Sequence, residues 1–549
     1  MSEKEKFQKL AKEYFTWLYR NYPVAATSLG IHRFDDRLTD LGKEAIGRRL
    51  LKTRQFLVEF KKIKPSELDL TVVNDLSILK NELEWEIISE EKIKYWQKAP
   101  SLYSDEIIWG LYFLLNRSFA SLEVRAKNLL SRLKVAPLVL EQAEKNLSQP
   151  VSLWVEIGRD SVKGGMVFLE TQIPDFAKKV KDKNLKMRIL TANQKLAKSL
   201  KEYLRFLDRV KKEATPEFSL GKALFEQKLK LAQVLDYSPE ELLKIGWKIF
   251  KQTEKKLQKS ADLISVGNSW WQVTENLKKY YPKETDLLKV YRQEVRQLKE
   301  FLRKKRIVSL PEKEKLKVIS TPESERATTP YAAYLPPAPF EKDQTGQFWV
   351  TPIDKQRTKA QQKQQLAEHA FNHLALTVLH ESYPGHHLQL VIANQKSSFI
   401  RKHMHNTPYV EGWALYCEQL MVETDYLKKR EQQIFQLKDQ LWRAARVILD
   451  VKLHLGQMDF KEAVDFLVKR VHLEKNSAEA EVRRYTLAPT YQLSYLLGKL
   501  EILALREKLK KIMGKNFSLL QFHQLFLSCG SIPIKLAGKE ILMGLRVRP

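Results

Sequence analysis

The run His380-Glu381-Ser382-Tyr383-Pro384-Gly385-His386-His387 sets a histidine directly before a glutamate, with two more histidines shortly after. Seven of the chain's eleven histidines (His369, His373, His380, His386, His387, His403 and His405) fall between positions 369 and 405. Neutral imidazoles and carboxylates are common ligands of zinc, and a glutamate beside a ligand is placed to act as a general base. The spacing departs from HEXXH, in which the histidines stand four apart on one helical face. Pro384 and Gly385 interrupt the run. Proline cannot donate its backbone hydrogen bond, and glycine tolerates conformations that other residues avoid. A widened turn would bring His386 to the place of the fourth residue after His380. A mere bend would favour His387, because seven residues return to nearly the same face. His386 is preferred and His387 is the alternative.

A catalytic zinc site takes a third protein ligand and leaves a fourth position open. Glu411, in the segment Thr407–Glu418, lies far enough past His387 for a loop and an antiparallel helix, and is assigned as that ligand. Glu418 shares its helical face and is either an alternative ligand or a group that orients a histidine from behind. One Zn2+ per chain is expected, with manganese or cobalt as the other divalent choices. His369 and His373 read as helix-surface or supporting residues, and His403 and His405 as surface histidines in the loop between two helices.

HESYPGHHLQ followed by VEGWALYCE closely resembles the domain-of-unknown-function family 885 (DUF885), whose members carry HExxPGHHLQ and EGWALYxE. Three further stretches are similar to that family. Tyr22-Pro23-Val24-Ala25-Ala26-Thr27-Ser28-Leu29-Gly30 looks like its opening element, and Leu335–Ala338 through Gly346–Val350 like the segment before its metal helix. Arg484-Tyr485, Pro489, Gln492, Tyr495 and Gly498 match its late motif, so the resemblance covers most of the chain. It implies a mostly α, large helical metallopeptidase-like (gluzincin-type) fold with a small β-sheet near the active site. In outline this is similar to thimet oligopeptidase and angiotensin-converting enzyme.

The implied function is zinc-dependent hydrolysis of peptide bonds by metal-activated water, with Glu381 as general base. Candidate oxyanion donors are Tyr485, Tyr491 and Tyr495; related helical peptidases use a tyrosine late in the chain, and by that resemblance Tyr495 is favoured, then Tyr485. Arg484 is a candidate for binding a substrate's C-terminal carboxylate, because a guanidinium grips carboxylates two-pronged. Oligopeptidase and carboxypeptidase modes both stay open. Gly346–Thr351 reads as a short strand along whose edge an extended peptide pairs.

Helices must hold these residues. Apolar positions recur at three-to-four spacing through residues 1–300, as in Ala126–Leu147, Phe225–Val234 and Pro239–Leu263. The proline-rich stretch from Pro311 to Pro352 is expected to carry the sheet. A metal helix over about 361–395, the Glu411 helix and further helices to about 510 follow, one of them capped by Ser477. At 549 residues and 43% hydrophobic content the chain can bury a large core. It is read as a single unit over 1–549, with a helical part of about 1–300 and a part of about 301–549 that carries the metal site.

The charged start MSEKEKFQKLAKEYF lacks the apolar core of a signal peptide, and no window approaches a membrane span. With two cysteines, Cys417 and Cys529, a reducing cytoplasm is the expected compartment. A net charge of +29 raises the question of nucleic acid, but Lys and Glu are interspersed along helices and basic runs are short, as in Arg303–Arg306. Acidic peptide substrates or a lysine-rich proteome account for the charge equally well. The expected partner is a peptide substrate, with no membrane, and nucleic acid is disfavoured despite the positive charge. The other class is a non-catalytic basic helical binding protein with a structural metal, and Glu381 separates the two.

Overall fold

Asp182, Ser238 and Asn406 each turn a side-chain oxygen onto a backbone N–H three residues ahead, and each starts a helix. The computed structural model describes residues 1–312, 314–322, 325–326, 329 and 331–546. The described chain is mostly helical with one three-stranded sheet, in line with the expected fold class. No helix among these residues is long and apolar enough to cross a membrane.

The chain divides into two compact units. The first is formed by Met1–Phe218, with short returns around Glu325 and at Ala338–Asp343. Its helix Lys183–Val210 packs against both Leu122–Asn146 and Ser152–Lys179. It does so through Leu185, Ile189, Leu196, Leu200, Tyr203 and Leu207, a stripe at helical spacing.

The second unit starts at Ser219 and contains the whole histidine-rich region. Its sheet joins β1 (Lys315–Ser320), β2 (Ala332–Leu335) and β3 (Thr345–Val350) in the order β1-β3-β2. β3 runs parallel to β1, pairing Lys315 with Thr345, and antiparallel to β2, pairing Ala332 with Val350. This corrects one expectation. β3 is central, with both backbone edges taken, so no peptide can pair along it; the outer edges belong to β1 and β2.

The expected metal helix is three helices, Lys359–Ala367, Phe371–Glu381 and His386–Lys396. The second break, Ser382–Gly385, folds back on the helix before it: a Cβ on Gly385 would lie 1.9 Å from the His380 carbonyl oxygen. Only glycine allows that approach. The Trp413 indole N–H donates to Pro384 O at 2.8 Å and holds the turn from the opposite side. Ser477 is not the cap expected of it. Helix Lys475–Leu487 begins earlier, and Glu474 caps it by accepting from the Ser477 N–H.

Helix Thr407–Glu423 is apolar on nearly all faces and almost wholly buried. It crosses Ser494–Met513 where Gly412 meets Gly498; a Cβ on Gly498 would lie 1.9 Å from Pro408 O. Gly498→Ala is therefore expected to push these helices apart and to cost about 1–3 kcal/mol or more by overpacking. A lower urea midpoint with unchanged slope is the expected readout.

Candidate metal centre

His380 is the next-to-last residue of one helix, His386 opens the next, and Glu411 sits in the first turns of Thr407–Glu423. Their ligand atoms all lie within 4.8 Å of one another. His386 Nε2 is 3.3 Å from Glu411 Oε2, and the two imidazoles meet edge-on with centroids 4.8 Å apart. The three side chains are only 10–12% exposed. The non-helical turn is what brings His386 here. His387 is turned away, with Nε2 on Glu314 and Nδ1 on Tyr334, each at 2.9 Å.

Supporting contacts fix His380 and Glu411. Glu418 Oε1 lies 2.8 Å from His380 Nδ1, which leaves the other ring nitrogen free to bind. Glu418 therefore stands behind His380 and outside the ligand group. Tyr491 donates to Glu411 Oε1 at 2.6 Å, while Glu411 Oε2 and His386 Nδ1 are buried without a hydrogen-bond partner. Burial opposes the charge on Glu411, but His386 and Tyr491 outweigh it and hold the carboxyl well below the usual range. Burial likewise opposes charge on His386, and Glu411 overcomes it, lifting His386 above the ordinary imidazole value. Two imidazole nitrogens and a carboxylate with an orphaned oxygen form a donor set that fits zinc or a related divalent ion. Glu381 is half-buried beside them, and its charge acts on His386.

The late tyrosines divide. Tyr485 is fully buried, and its hydroxyl accepts from Arg446 Nε at 3.0 Å and Trp442 Nε1 at 3.2 Å. Tyr495 lies nearer, its hydroxyl 3.5 Å from that of Tyr491. Arg484 pairs with Glu481 at 2.8 Å and lies against the Tyr491 ring, 5.8 Å from its centroid, with 42% of its side chain exposed. Glu481 also serves Arg446 at 2.9 Å. Burial would raise its pKa, yet the two guanidinium groups hold it at about 2.

Of the remaining histidines, His369 is buried against the Tyr291 hydroxyl at 2.9 Å rather than on a helix surface. His373 stacks on Phe435 and faces Asp439 at 3.3 Å. His403 is half-buried, its Nδ1 2.8 Å from Phe399 O. His405 is exposed, yet the charges of Glu411 and His386 act on it, so it borders the group.

Sequence reasoning missed two carboxylates. Asp450 accepts from the N–H groups of Thr490 and Leu493 at 3.1 and 3.3 Å, pinning the turn that presents Tyr491. Burial lifts its pKa to about 7. Glu314 receives His387 and Tyr383. Asp450 lies in a long helix and Glu314 in a Lys-Glu run, and neither position carries a motif.

The family described as "Bacterial protein of unknown function (DUF885)" matches residues 23–541. A candidate lipoprotein of unknown function from Shewanella oneidensis has a similar structure, with TM-score 0.82 and 25% identity over 98% of this chain and 99% of that one. A candidate lipoprotein from Colwellia psychrerythraea gives TM-score 0.85 at 18% identity, over 99% of this chain and 100% of its own. No curated protein matches this chain in sequence.

Proposed function

We propose that this chain, which belongs to the DUF885 family, is a metal-dependent hydrolase of peptide bonds. One observation carries the reading: His380, His386 and Glu411 converge within 4.8 Å, with the half-buried acid Glu381 next to His380 in the chain. These three residues would hold one divalent cation, zinc first by donor type. Once bound, that ion supplies a Lewis acid beside the scissile carbonyl.

The chain's own groups account for the rest. Glu381 takes a proton from the attacking water as the new C–O bond forms, and returns it to the leaving nitrogen as the C–N bond breaks. Tyr491 is committed to Glu411, so Tyr495 is the hydroxyl left to donate to a developing oxyanion. Its 3.5 Å contact with Tyr491 is long for a hydroxyl pair and easily exchanged. Arg446 and Arg484 share one carboxylate, which leaves a surplus positive charge beside Tyr491. That surplus suits a peptide's terminal carboxylate and makes the carboxypeptidase mode the first to test, ahead of the oligopeptidase mode. Cys417 and Cys529 are both buried free thiols, in keeping with the cytoplasm as the proposed compartment.

The experiment is elemental analysis of the purified chain, followed by peptide-library hydrolysis before and after chelation. About one zinc per chain is expected. Cleavage is expected to vanish on chelation and to return with zinc. A folded chain that takes up no zinc, or binds it and cleaves no peptide, would favour a binding protein instead.

A further inference from the structure

Glu314 lies between the helix Leu287–Lys305 and β1, with only 3% of its side chain exposed. A buried carboxylate is costly unless its oxygens are well supplied with donors. Here His387 Nε2 stands 2.9 Å from Oε2, the Tyr383 hydroxyl donates to the same oxygen, and the Lys299 ammonium pairs with Oε1. Burial would raise the pKa of Glu314, but these three donors hold it at about 2. His387 Nδ1 stands 2.9 Å from the Tyr334 hydroxyl of β2, so both ring nitrogens are engaged. β3 leaves room for that meeting: a Cβ on Gly346 would lie 2.6 Å from both His387 Nδ1 and the Tyr334 oxygen.

Tyr383 lies in the turn Ser382–Gly385 that separates His380 from His386, and His387 follows just beyond it. One carboxylate from outside the turn therefore ties down the turn and the start of the helix after it. The adjacent histidines also point to different tasks, since His386 faces Glu411 while His387 faces Glu314. We propose that Glu314 is the positioning residue of the metal centre: by clamping Tyr383 and His387 it fixes the turn, and with it the approach of His386 to His380 and Glu411. This rests on the metal-site reading above.

The test uses the full chain with Glu314→Gln, which keeps the shape and removes the charge that the donors require. Zinc affinity is measured by chelator competition, and ligand geometry by the visible spectrum of the cobalt-loaded protein. Zinc is expected to bind about 10–100-fold more weakly, the effect typical of groups that orient ligands, and the cobalt bands are expected to shift. Tyr383→Phe removes a single hydroxyl and is expected to act in the same direction with a smaller change. Wild-type affinity with an unchanged cobalt spectrum in folded Glu314→Gln overturns the proposal. The same result in Tyr383→Phe overturns it if Glu314→Gln does not fold. If the wild type itself takes up neither metal, the metal-site reading has failed first.

Discussion

Glu381→Gln is expected to keep its metal and lose turnover by about 10²–10⁴-fold, the range a positioned general base supplies. Glutamine has the same shape but cannot take a proton from water at neutral pH. Glu381 is the last residue of its helix and stands outside the His380, His386 and Glu411 group, so its replacement removes no ligand. Its charge does act on His386, so a small change in metal affinity is compatible with the same role. The measurement pairs metal content per chain with kcat on a peptide that the wild type cleaves. Full hydrolysis by a metal-loaded Glu381→Gln protein would sink the mechanism. In a binding protein with a structural metal, the same change would leave ligand affinity untouched.

Glu411→Ala is expected to bring metal content down to background. It leaves two imidazoles where a catalytic site needs three protein ligands, and it strips the Tyr491 hydroxyl of its acceptor. Glu418→Ala is the matched control, because Glu418 touches His380 from behind at 2.8 Å; there metal is expected to bind more weakly yet measurably. Thermal melts with and without zinc check both variants, since a ligand that binds only the folded chain raises Tm with its concentration. The wild type should show that rise and Glu411→Ala should not. A Glu411→Ala protein with full metal content would remove Glu411 from the ligand set.

How much of this was legible in the sequence follows from the range of each signal. Helix Lys183–Val210 announces itself because its buried positions repeat at three and four residues and Asp182 caps its start, all within the segment. HESYPGHHLQ and VEGWALYCE identified the family, and the proline-rich stretch located the sheet. Histidine and glutamate types, with Pro384 and Gly385 between them, were enough to nominate the three residues that converge. Each of these readings depends on neighbours a few positions apart, where backbone geometry dictates which residues share a face.

Tertiary structure decided the rest. The choice between His386 and His387 turned on whether the helix continues past Glu381, and the close approach of Gly385 to the His380 carbonyl shows that it does not. Tyr485 matched the late motif, yet Trp442 and Arg446 from another helix occupy its hydroxyl. β3 had the composition of a strand, but its place between β1 and β2 depends on pairings that composition does not specify. Glu314 meets Tyr383 and His387 across about seventy positions of chain, and Asp450 reaches Thr490 across forty. Local spacing dictates the long helices such as Lys183–Val210, the family motifs and the residue types available for chemistry. Only packing decided which of them face one another, because a side chain's partner at long separation is set by how whole elements dock and leaves no local spacing to read.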